Sequence, residues 1–466
     1  MKNNYNKYSY TAILLLFFSV VLLHTSCKKY LEAKPDASLS TPETLTDLQL
    51  MLDYYALMNQ QYPVASEIMC DDYYLIESNF NSVTDATQRN LHTWQKDDNT
   101  LLYWGQGNVS GSYAAILHVN TVLDELPHIR YSSSEQDEWN NIKGSALFFR
   151  ACYFYGLSQL FAKPYDKTTA STDAGIVLRL NSNVQETSVR SSVEQTYDRI
   201  IKDFKEAADL LPVTPLVKSR PSKPAAYGAL ARTYLAMGEY ALAGEYADKC
   251  LALYNKLMNY NSLSANANVP IQRFNDEVIF QMRSQGSIVI LANSRARIDP
   301  ALYSSYAAED LRKSVFFKSN NNGSYQFKGD YDGSGTATGF VFAGIVTDEI
   351  YLIRAESYAR AGNVTSAMKD LNDLLVTRWS TNLYNDMTAA DPDEALTKIL
   401  TERRKELVRR GARWTDLRRL MKEPAHAVIP KRVIGAQTYE LDINSPRYTM
   451  QIPNIVITLS GIPQNE

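Results

Sequence analysis

The sequence predicts a mostly α-helical protein in which paired helices form a scaffold around an irregular, loop-rich region. Three observations lead to this fold class. Apolar residues recur at helical spacing over most of the chain, one helix-turn-helix pattern occurs twice, and the periodicity breaks down between residues 262 and 346. With 466 residues the chain is long enough for one large domain with its own core.

The first residues predict an exported protein that is anchored by lipid. Lys2 and Lys7 precede an apolar run from Ala12 to Leu23, which is the layout of a secretory signal peptide. That run is too short to cross a bilayer core of about 30 Å. We expect a signal peptide over residues 1–26 and lipidation of Cys27, because signal cleavage alone gives no reason for a cysteine there. The alternative is a secreted protein with a spare cysteine.

The next elements are a tether and the first helices of the body. Residues 27–44 are mostly polar and predict a flexible tether, after which residues 45–466 form a single domain. Thr41, Pro42 and Glu43 predict a helix start, with Leu45 as the first apolar residue of its buried face. A second helix is expected over residues 111–126, and an irregular aromatic segment lies between the two.

Two later segments fit the tetratricopeptide pattern of a helix, a glycine-containing turn and a returning helix. The first has its small and large residues at Tyr227, Leu230, Ala231, Tyr234, Gly238, Tyr240, Ala243 and Ala247. The second has them at Tyr351, Ala355, Tyr358, Gly362, Val364, Ala367 and Leu371. Small residues let paired helices approach closely, and each pair exposes an apolar face that stacking must cover.

A third, split pair is expected over residues 139–161 and 196–211, with a long loop between them that contains a short strand near Gly175–Leu178. Helices return at residues 347–377 and 393–420. The predicted scaffold therefore covers residues 45–261 and 347–422, with a variable ligand-binding insertion at 262–346 and an extended tail at 423–466.

Composition excludes several classes of function. A net charge of −3, from 48 basic and 51 acidic residues, gives no field that would recruit nucleic acid. Of 4 cysteines, an odd number remains beside Cys27, so we expect Cys152 and Cys250 to be buried and not bridged. No HExxH or GxSxG pattern occurs. We therefore expect that the protein is not an enzyme and that it binds no cofactor. Whether two carboxylates are paired for glycoside hydrolysis can be judged only from their geometry.

Four segments, in this order along the chain, resemble the SusD/RagB family of Bacteroidetes outer-membrane lipoproteins. They are Lys163-Pro164-Tyr165, the entry Arg220-Pro221-Ser222-Lys223-Pro224, the stretch from Glu402 through Arg413-Trp414-Thr415-Asp416-Leu417-Arg418, and the ending at Gln451-Ile452-Pro453. The Arg-Trp-x-Asp-Leu-Arg segment is the most specific of them.

The resemblance implies a SusD-like fold and a function in nutrient uptake. It implies a cell-surface protein that binds an oligosaccharide, or in some members a peptide, and passes it to a SusC-like TonB-dependent outer-membrane transporter. Two other readings remain open from the residues alone. One is a tetratricopeptide scaffold that binds proteins or peptides on the periplasmic side, and the other is a secreted glycoside hydrolase.

Candidate ligand residues follow from the chemistry of sugars, which are apolar on their faces and polar at their rims. The chain contains 31 Tyr, 5 Trp and 15 Phe, and tyrosine combines a flat apolar face with a polar tip. Two irregular regions combine aromatic rings with planar polar groups: Asp71, Asp72, Tyr73, Tyr74 and Trp94 in the first, and Arg295, Arg297, Tyr303, Tyr306, Tyr325 and Tyr331 in the second.

Two further patterns are interpreted as structural. Asp330, Asp332 and Ser334 resemble the front of a calcium loop, but Val341 stands where the bidentate acid belongs, so we expect a turn and no metal site. The arginine-rich stretch 402–419 is expected to form local ion pairs through Arg404, Glu406, Arg413 and Asp416, while Leu407, Trp414 and Leu417 pack inward.

Overall fold

The computed structural model describes residues 42–105, 110–284, 288–334 and 339–466. Residues 44–466 form one compact unit. The expected signal peptide, Cys27 and all but the last three residues of the tether lie outside the described residues. Within the described ranges, no helix is both long enough and apolar enough to span a bilayer.

The unit is mainly helical. Short helices come first: α1 (Leu45–Leu52), α2 (Tyr55–Met58), α3 (Ala65–Met69), α4 (Glu77–Asn81), α5 (Ala86–His92) and α6 (Leu101–Trp104). Longer ones follow: α7 (Ser112–Glu125), α8 (Gln136–Phe161), α9 (Val193–Leu210), α10 (Lys223–Met237) and α11 (Tyr240–Leu253). The remainder are α12 (Pro300–Ser304), α13 (Arg312–Phe316), α14 (Thr347–Arg360), α15 (Val364–Leu375), α16 (Pro392–Glu406), α17 (Arg413–Leu420) and α18 (Asn454–Ser460).

The strands are short and form antiparallel pairs of two. In chain order they are β1 (Tyr73–Tyr74), β2 (Ala174–Val177), β3 (Arg190–Ser192), β4 (Val278–Phe280), β5 (Arg297–Ile298), β6 (Phe317–Ser319), β7 (Tyr325–Phe327), β8 (Ile345–Val346), β9 (Lys431–Ile434) and β10 (Gln437–Glu440). The pairs are β1 with β5, β2 with β3, β4 with β8, β6 with β7 and β9 with β10. Strand β2 confirms the short strand expected near Gly175. The pair β1–β5 joins the first aromatic segment to the variable region.

Helix α1 begins later than its sequence signal indicated. Its N-cap is Thr44, not Thr41, because Thr44 and Asp47 form a reciprocal capping box. The Thr44 hydroxyl accepts from the Asp47 backbone N–H at 3.1 Å, and the Asp47 carboxylate accepts from the Thr44 N–H at 3.0 Å. Two N–H groups without helical partners are thereby satisfied. Leu45, Leu48 and Leu52 are buried, as their spacing predicts.

Both predicted tetratricopeptide pairs are confirmed. The first is α10 with α11, the second is α14 with α15, and α11 packs against α14. Gly238 and Gly362 follow the first helix of each pair at φ angles of 76° and 79°, in the left-handed region that favours glycine. A Cβ added at Gly244 would lie 2.8 Å from the Cβ of Ser357, so a small residue is what lets α11 approach α14.

The split third pair is also confirmed, as α8 packed against α9. The buried Arg150 of α8 donates from Nε to Asp203 Oδ2 at 2.8 Å and from Nη2 to Asp203 Oδ1 at 3.0 Å. Its Nη1 also donates to Asn120 Oδ1 in α7 at 3.0 Å. A bidentate pair with a further neutral acceptor satisfies a buried guanidinium, and it ties three helices together.

The helical region predicted over residues 393–420 contains two helices, α16 and α17. The chain between them turns through Arg409 and Gly411, at φ angles of 59° and 69°. Tertiary contacts hold this turn, since Arg409 Nη1 donates to the Leu291 carbonyl and the Gly411 N–H donates to Glu67 Oε2, each at 3.0 Å. Bonds to distant residues therefore override local helix preference here.

Two regions contain more regular structure than the sequence indicated. The aromatic segment 71–104 includes α4, α5 and α6, and the tail, which was expected to be extended, contains the β9–β10 hairpin and α18. Gly435, at a φ angle of 59°, occupies the turn of the hairpin. These elements are only four to seven residues long, which is too short for a clear periodic signal.

The variable region has an apolar cluster of its own. Its buried members come mainly from β4 to β7 and from α12 and α13, and they are Tyr260, Ile271, Val278, Ile298, Leu302, Tyr306, Val315, Phe316, Phe317, Phe327, Tyr331, Phe342, Val346 and Val408. The region is therefore irregular in backbone but packed inside. The residues at its surface pack on this apolar core.

Candidate functional site

The structure divides the predicted ligand residues into an interior set and a surface set. Asp72, Tyr73, Trp94, Tyr306 and Tyr331 are each at most 4% exposed. Asp71 is half-buried, and Tyr74, Arg295, Arg297, Tyr303 and Tyr325 are also partly exposed. The two sets have different environments.

Asp71 and Asp72 are held by arginines from the scaffold. Arg413 donates from Nε to Asp71 Oδ1 at 2.6 Å and from Nη2 to Asp71 Oδ2 at 2.8 Å. Arg404 Nε donates to Asp72 Oδ1 at 2.9 Å. Burial by itself would raise the pKa of Asp71, but the Arg413 and Arg404 guanidinium groups hold that pKa below its ordinary value. The two acids therefore serve as anchors for this segment.

Tyr73 and Trp94 are covered on their faces. The Tyr73 hydroxyl donates to the Ile68 carbonyl at 2.8 Å, and Trp94 Nε1 donates to the Met69 carbonyl at 2.9 Å. The guanidinium carbon of Arg432 lies 4.8 Å from the Tyr73 ring centroid and 5.0 Å from the Trp94 ring. In this conformation neither ring offers a face on which a sugar could stack.

Tyr306 and Tyr331 likewise point into the protein. The Tyr306 hydroxyl donates to the Lys405 carbonyl at 2.7 Å, and the Tyr331 hydroxyl donates to Glu277 Oε2 at 2.6 Å. The Arg410 guanidinium carbon lies 3.7 Å from the Tyr331 ring centroid. These two tyrosines tie the variable region to the scaffold.

Four of the partly exposed residues are brought into one neighbourhood. Tyr74 and Arg297 face each other across the β1–β5 pair, and β5 lies against β7, which carries Tyr325. Tyr303, from α12, stacks on Tyr325. Arg295 lies nearby, with its Nε bonded to Ser82 Oγ at 3.2 Å.

Tyr303 and Tyr325 form a stacked aromatic pair at the protein surface. Their ring centroids are 3.5 Å apart and their planes differ by 15°. The Phe317 ring meets Tyr303 edge-on at 5.6 Å, which fixes the pair against the apolar cluster. Partial burial and the adjacent Tyr325 raise the pKa of Tyr303 to about 12, so its hydroxyl is neutral at physiological pH.

This tyrosine pair lines an open cavity of about 490 Å³, which we call the tyrosine cavity. Its lining residues are Ala265, Asn266, Ala267, Asn268, Tyr303, Ala308, Asp310, Lys313, Ser314, Phe317, Lys318, Ser319, Tyr325 and Lys328. The volume suits an oligosaccharide segment. Aromatic rings therefore lie beside amide, hydroxyl and ammonium groups, which is the combination that sugars require.

Several polar residues of the cavity were missed by sequence reasoning. Lys313 Nζ lies 5.0 Å from the Tyr303 ring centroid, and Lys318 Nζ donates to Asn268 Oδ1 at 3.1 Å. Asn266, Asn268 and the lysines belong to no motif, and they meet only through the β6–β7 hairpin and the loop before β4. Their proximity to an irregular tyrosine-rich segment was the one available signal.

A second and larger cavity, of about 880 Å³, lies between α7, α18 and the loop after β2. Its lining is mixed, with seven aliphatic residues that include Leu117, Val184 and Leu459, and with polar side chains from Asn120, Arg179, Asn181, Asn183 and Ser188. Trp104 also lines it, but this ring is 6% exposed and packs against Tyr113 and Phe161. The Trp104 ring is therefore less accessible to a sugar than the partly exposed tyrosine pair of the tyrosine cavity.

A buried cluster contains three potential metal ligands. Glu67, Cys70 and Asp72 present ligand atoms within 4.8 Å of one another, all buried. Burial raises the pKa of Glu67 to about 7 and raises the pKa of the Cys70 thiol well above its ordinary value, which favours neutral groups. Cys152 and Cys250 are buried free thiols, as expected.

The segment that resembles a calcium loop is engaged by cations of the protein. Asp332 Oδ2 accepts from Arg273 Nη2 and from Arg283 Nη1, each at 3.3 Å. Gln281 Nε2 donates to Asp332 Oδ1 at 3.0 Å. Burial raises the pKa of Asp330 to about 6. Residues 335–338 of this segment lie outside the described residues. Two guanidinium groups at the central acid oppose a further cation there.

The arginine-rich stretch 402–419 forms ion pairs, as predicted, but most of them are not local, contrary to the expectation from the sequence. Arg404 and Arg413 bind Asp72 and Asp71, Glu406 accepts from Arg312 and Arg378, and Asp416 accepts from Arg403 and Arg419. Leu407, Trp414 and Leu417 are buried. Many of these pairs reach far along the chain, so the stretch organises the whole molecule and not only its own helices.

Two family models match the chain. Residues 29–235 match a model described as starch-binding and associating with the outer membrane, and residues 347–458 match the SusD family model. Together they cover more than half of the chain. The chain belongs to the SusD/RagB family.

Among curated proteins, a SusD-like protein P2 of Formosa agariphila is 29% identical over 154 residues, which is 32% of this chain and 27% of that protein. The match thus spans about a quarter of the length of this relative. Solved structures extend the likeness in fold. A SusD superfamily protein of Bacteroides thetaiotaomicron aligns at 22% identity over 91% of this chain and 100% of that chain, with a TM-score of 0.72. A SusD-like carbohydrate binding protein of Bacteroides vulgatus aligns at 20% identity over 90% of this chain and 97% of that chain, with a TM-score of 0.66.

Proposed function

We propose that the protein is a cell-surface lipoprotein that binds an oligosaccharide in the tyrosine cavity. In this proposal it passes the sugar to a SusC-like TonB-dependent transporter for import. Family membership supports the general role, since the N-terminal model that matches is described as starch-binding. The tyrosine cavity supports the location of the site.

The observation that carries the proposal is the stacked pair of Tyr303 and Tyr325 beside polar side chains. A sugar ring gains free energy by placing its apolar face on an aromatic ring, while its hydroxyls need hydrogen-bonding partners. Asn266, Asn268 and Ser319 line the same cavity and can supply them. The apolar cluster beneath the pair limits its motion, which lowers the entropic cost of binding.

The acid content of the cavity favours binding over hydrolysis. Among the described lining residues the acid is Asp310, and glycoside hydrolysis requires two carboxyl groups about 5 to 10 Å apart across the scissile bond. Asp310 is also committed to Arg312, which donates from Nε at 2.9 Å and from Nη2 at 2.7 Å. The guanidinium overcomes the effect of burial and lowers the pKa of Asp310, so this acid is a poor proton donor at neutral pH.

Substitution of both tyrosines tests the site. A glycan array probed with the full-length protein in detergent should identify ligands, and calorimetry should then measure their affinity. Tyr303→Ala with Tyr325→Ala should lower that affinity more than about tenfold, since stacking on aromatic rings contributes more than 1 kcal/mol.

Tyr131→Ala is the matched control. Tyr131 and Trp139 form another stacked aromatic pair, with centroids 5.9 Å apart and Lys143 Nζ 5.6 Å from the Trp139 ring, but they lie outside the variable region. If Tyr131→Ala lowered the affinity as much as the double tyrosine variant, or if the double variant kept the wild-type affinity, the binding site would lie elsewhere.

The lipid anchor and its location have separate tests. Incorporation of a labelled palmitate analogue into the wild-type chain, and not into Cys27→Ala, is expected if Cys27 is lipidated. A protease added to intact cells should degrade a surface protein, whereas a periplasmic scaffold would stay protected. Purification from detergent-solubilised outer membrane should recover a TonB-dependent transporter, and its repeated absence would contradict the transport role.

A further inference from the structure

Three lysines line the tyrosine cavity beside the tyrosine pair. Lys313 is partly exposed and lies against Tyr303, Lys318 is exposed on β6, and Lys328, which follows β7, is 7% exposed. All three belong to the lining of the same cavity. The cavity therefore carries three ammonium groups on its walls.

Within the described residues, these ammonium groups are bonded to neutral acceptors. Lys313 Nζ donates to the Tyr306 carbonyl at 2.8 Å, Lys318 Nζ to Asn268 Oδ1 at 3.1 Å, and Lys328 Nζ to the carbonyls of Ala265 and Ala267. An ammonium group has three N–H donors, so Lys313 and Lys318 keep donors for a ligand.

The acid of the cavity does not balance this charge. Asp310 accepts Arg312 at both carboxylate oxygens, and Lys405 Nζ lies 3.3 Å from its Oδ2. Arg312 is fully buried and is shared with Glu402 and Glu406. Asp310 thus belongs to a closed internal network, and the lysines face the cavity without it.

Two of the lysines, Lys318 and Lys328, are close enough for their charges to repel each other. Burial lowers the pKa of Lys328, and the charge of Lys318 lowers it further. An anion that entered the cavity would relieve this repulsion and would form charge-assisted hydrogen bonds. The repulsion therefore lowers the stability of the empty cavity relative to one filled by an anion.

We propose that the ligand is an acidic oligosaccharide, with a carboxylate or sulfate group held between Lys313 and Lys318 while a neighbouring ring stacks on the tyrosine pair. This inference rests on the proposed function and adds the class of ligand to it. An ammonium group is a point charge that accepts either kind of anion, so carboxylated and sulfated sugars share the chemistry. The aromatic pair favours a sugar over an acidic peptide such as polyglutamate, which has no ring to stack.

The test compares ligands that differ in charge, using the full-length protein in detergent. The probes are galacturonic acid hexamer, its methyl ester, a sulfated chondroitin hexamer, maltohexaose and polyglutamate. We expect at least one of the two acidic sugars to bind, with an affinity that falls about tenfold when salt rises from 20 to 300 mM, as screening requires. The methyl ester and maltohexaose should bind at least about tenfold more weakly than that acidic sugar.

Lysine variants locate the effect. Lys318→Gln and Lys313→Gln should each weaken the acidic sugar about tenfold, and Lys318→Glu should weaken it further. Lys202→Gln is the matched control, because Lys202 is exposed on α9 outside the variable region. Lys318 and Lys202 are both exposed, so their variants are expected to fold, and their melting temperatures verify this.

The outcomes separate this inference from the proposed function. If neutral sugars bind best and the lysine variants bind like wild type, glycan binding stands and the acidic class is overturned. If polyglutamate binds more tightly than every sugar, or if only Lys202→Gln alters binding, the inference is also overturned. Absence of binding to every sugar of both the panel and the glycan array would overturn the proposed function itself.

Discussion

The segments 71–94 and 303–325 contain similar residues and have opposite environments. In the first, Asp72, Tyr73 and Trp94 lie inside the protein under arginines from α16, α17 and β9. In the second, Tyr303 and Tyr325 stack at the wall of an open cavity. The difference lies in the available partners. The first segment meets arginines from distant elements, whereas Arg312, which belongs to the second segment, is already occupied by buried acids.

The comparison predicts that Trp94 determines stability and not binding. Trp94→Ala should reduce the free energy of unfolding by about 4 kcal/mol, because it empties a packed site under Arg432. Chemical denaturation measures this. Trp94→Phe should cost about 1 kcal/mol, mainly for the lost bond to the Met69 carbonyl. If the Trp94→Phe protein folded but no longer bound sugar, Trp94 would belong to the binding site, contrary to this prediction.

Arg413→Ala should destabilise the fold by about 3 kcal/mol, since it removes the bidentate partner of Asp71 and leaves only the longer contact of 3.5 Å to Arg404 Nη2. Lys431→Ala provides the matched control, because its pair with Glu440 is exposed on both sides and should matter by less than about 0.5 kcal/mol. Urea unfolding of the two variants measures the difference. Equal and small effects would mean that the first segment is not held by its ion pairs.

The Glu67 carboxyl beside this segment predicts a dependence of stability on pH. Its pKa is about 7 in the folded protein, raised by burial, and ordinary in the unfolded chain. The folded state therefore binds more protons between the two values, and stability should fall as pH rises from about 5 to 8, by roughly 2 to 3 kcal/mol for this group. Glu67→Gln should flatten that part of the profile. Thermal melts across pH test it, and an unchanged slope would contradict the assignment.

Tyr325→Ala gives the smallest expected change in stability. The side chain is partly exposed, so the free energy of unfolding should fall by about 1 kcal/mol or less. Its loss should appear instead in sugar affinity, by about tenfold. Denaturation and calorimetry on one preparation compare the two quantities. A loss of stability as large as that of Trp94→Ala would remove the contrast between the segments.

Sequence periodicity predicted the scaffold well and the short elements poorly. The pairs α10–α11 and α14–α15 carry small and large residues at fixed spacing, and Gly238 and Gly362 mark their turns, so local information was sufficient. The break between α16 and α17 depends on Arg409 reaching Leu291 and on Gly411 reaching Glu67. Contacts between residues more than 100 positions apart leave no periodic signal.

The same reason limits prediction of the site. Composition drew attention to the tyrosines near 303 and 325, but it could not distinguish them from Tyr306 and Tyr331, which donate to Lys405 and Glu277 in the interior. Burial of a tyrosine depends on which partners the fold brings to it. Lys313 and Lys318 carry no sequence signal of a binding role, because lysines are common on protein surfaces. Their shared position in the wall of the cavity is evident only from the structure.

Arg432 has a consequence for the timing of folding. It donates to the carbonyls of Ile68, Cys70 and Tyr73, which precede it by more than 350 positions. The N-terminal segment therefore cannot complete its packing until nearly the whole polypeptide has been made, because contacts of such high sequence separation form late. If the chain crosses a membrane as an extended thread, as the sequence predicts, this delay would keep the N-terminal segment open until the C-terminal residues have followed it across.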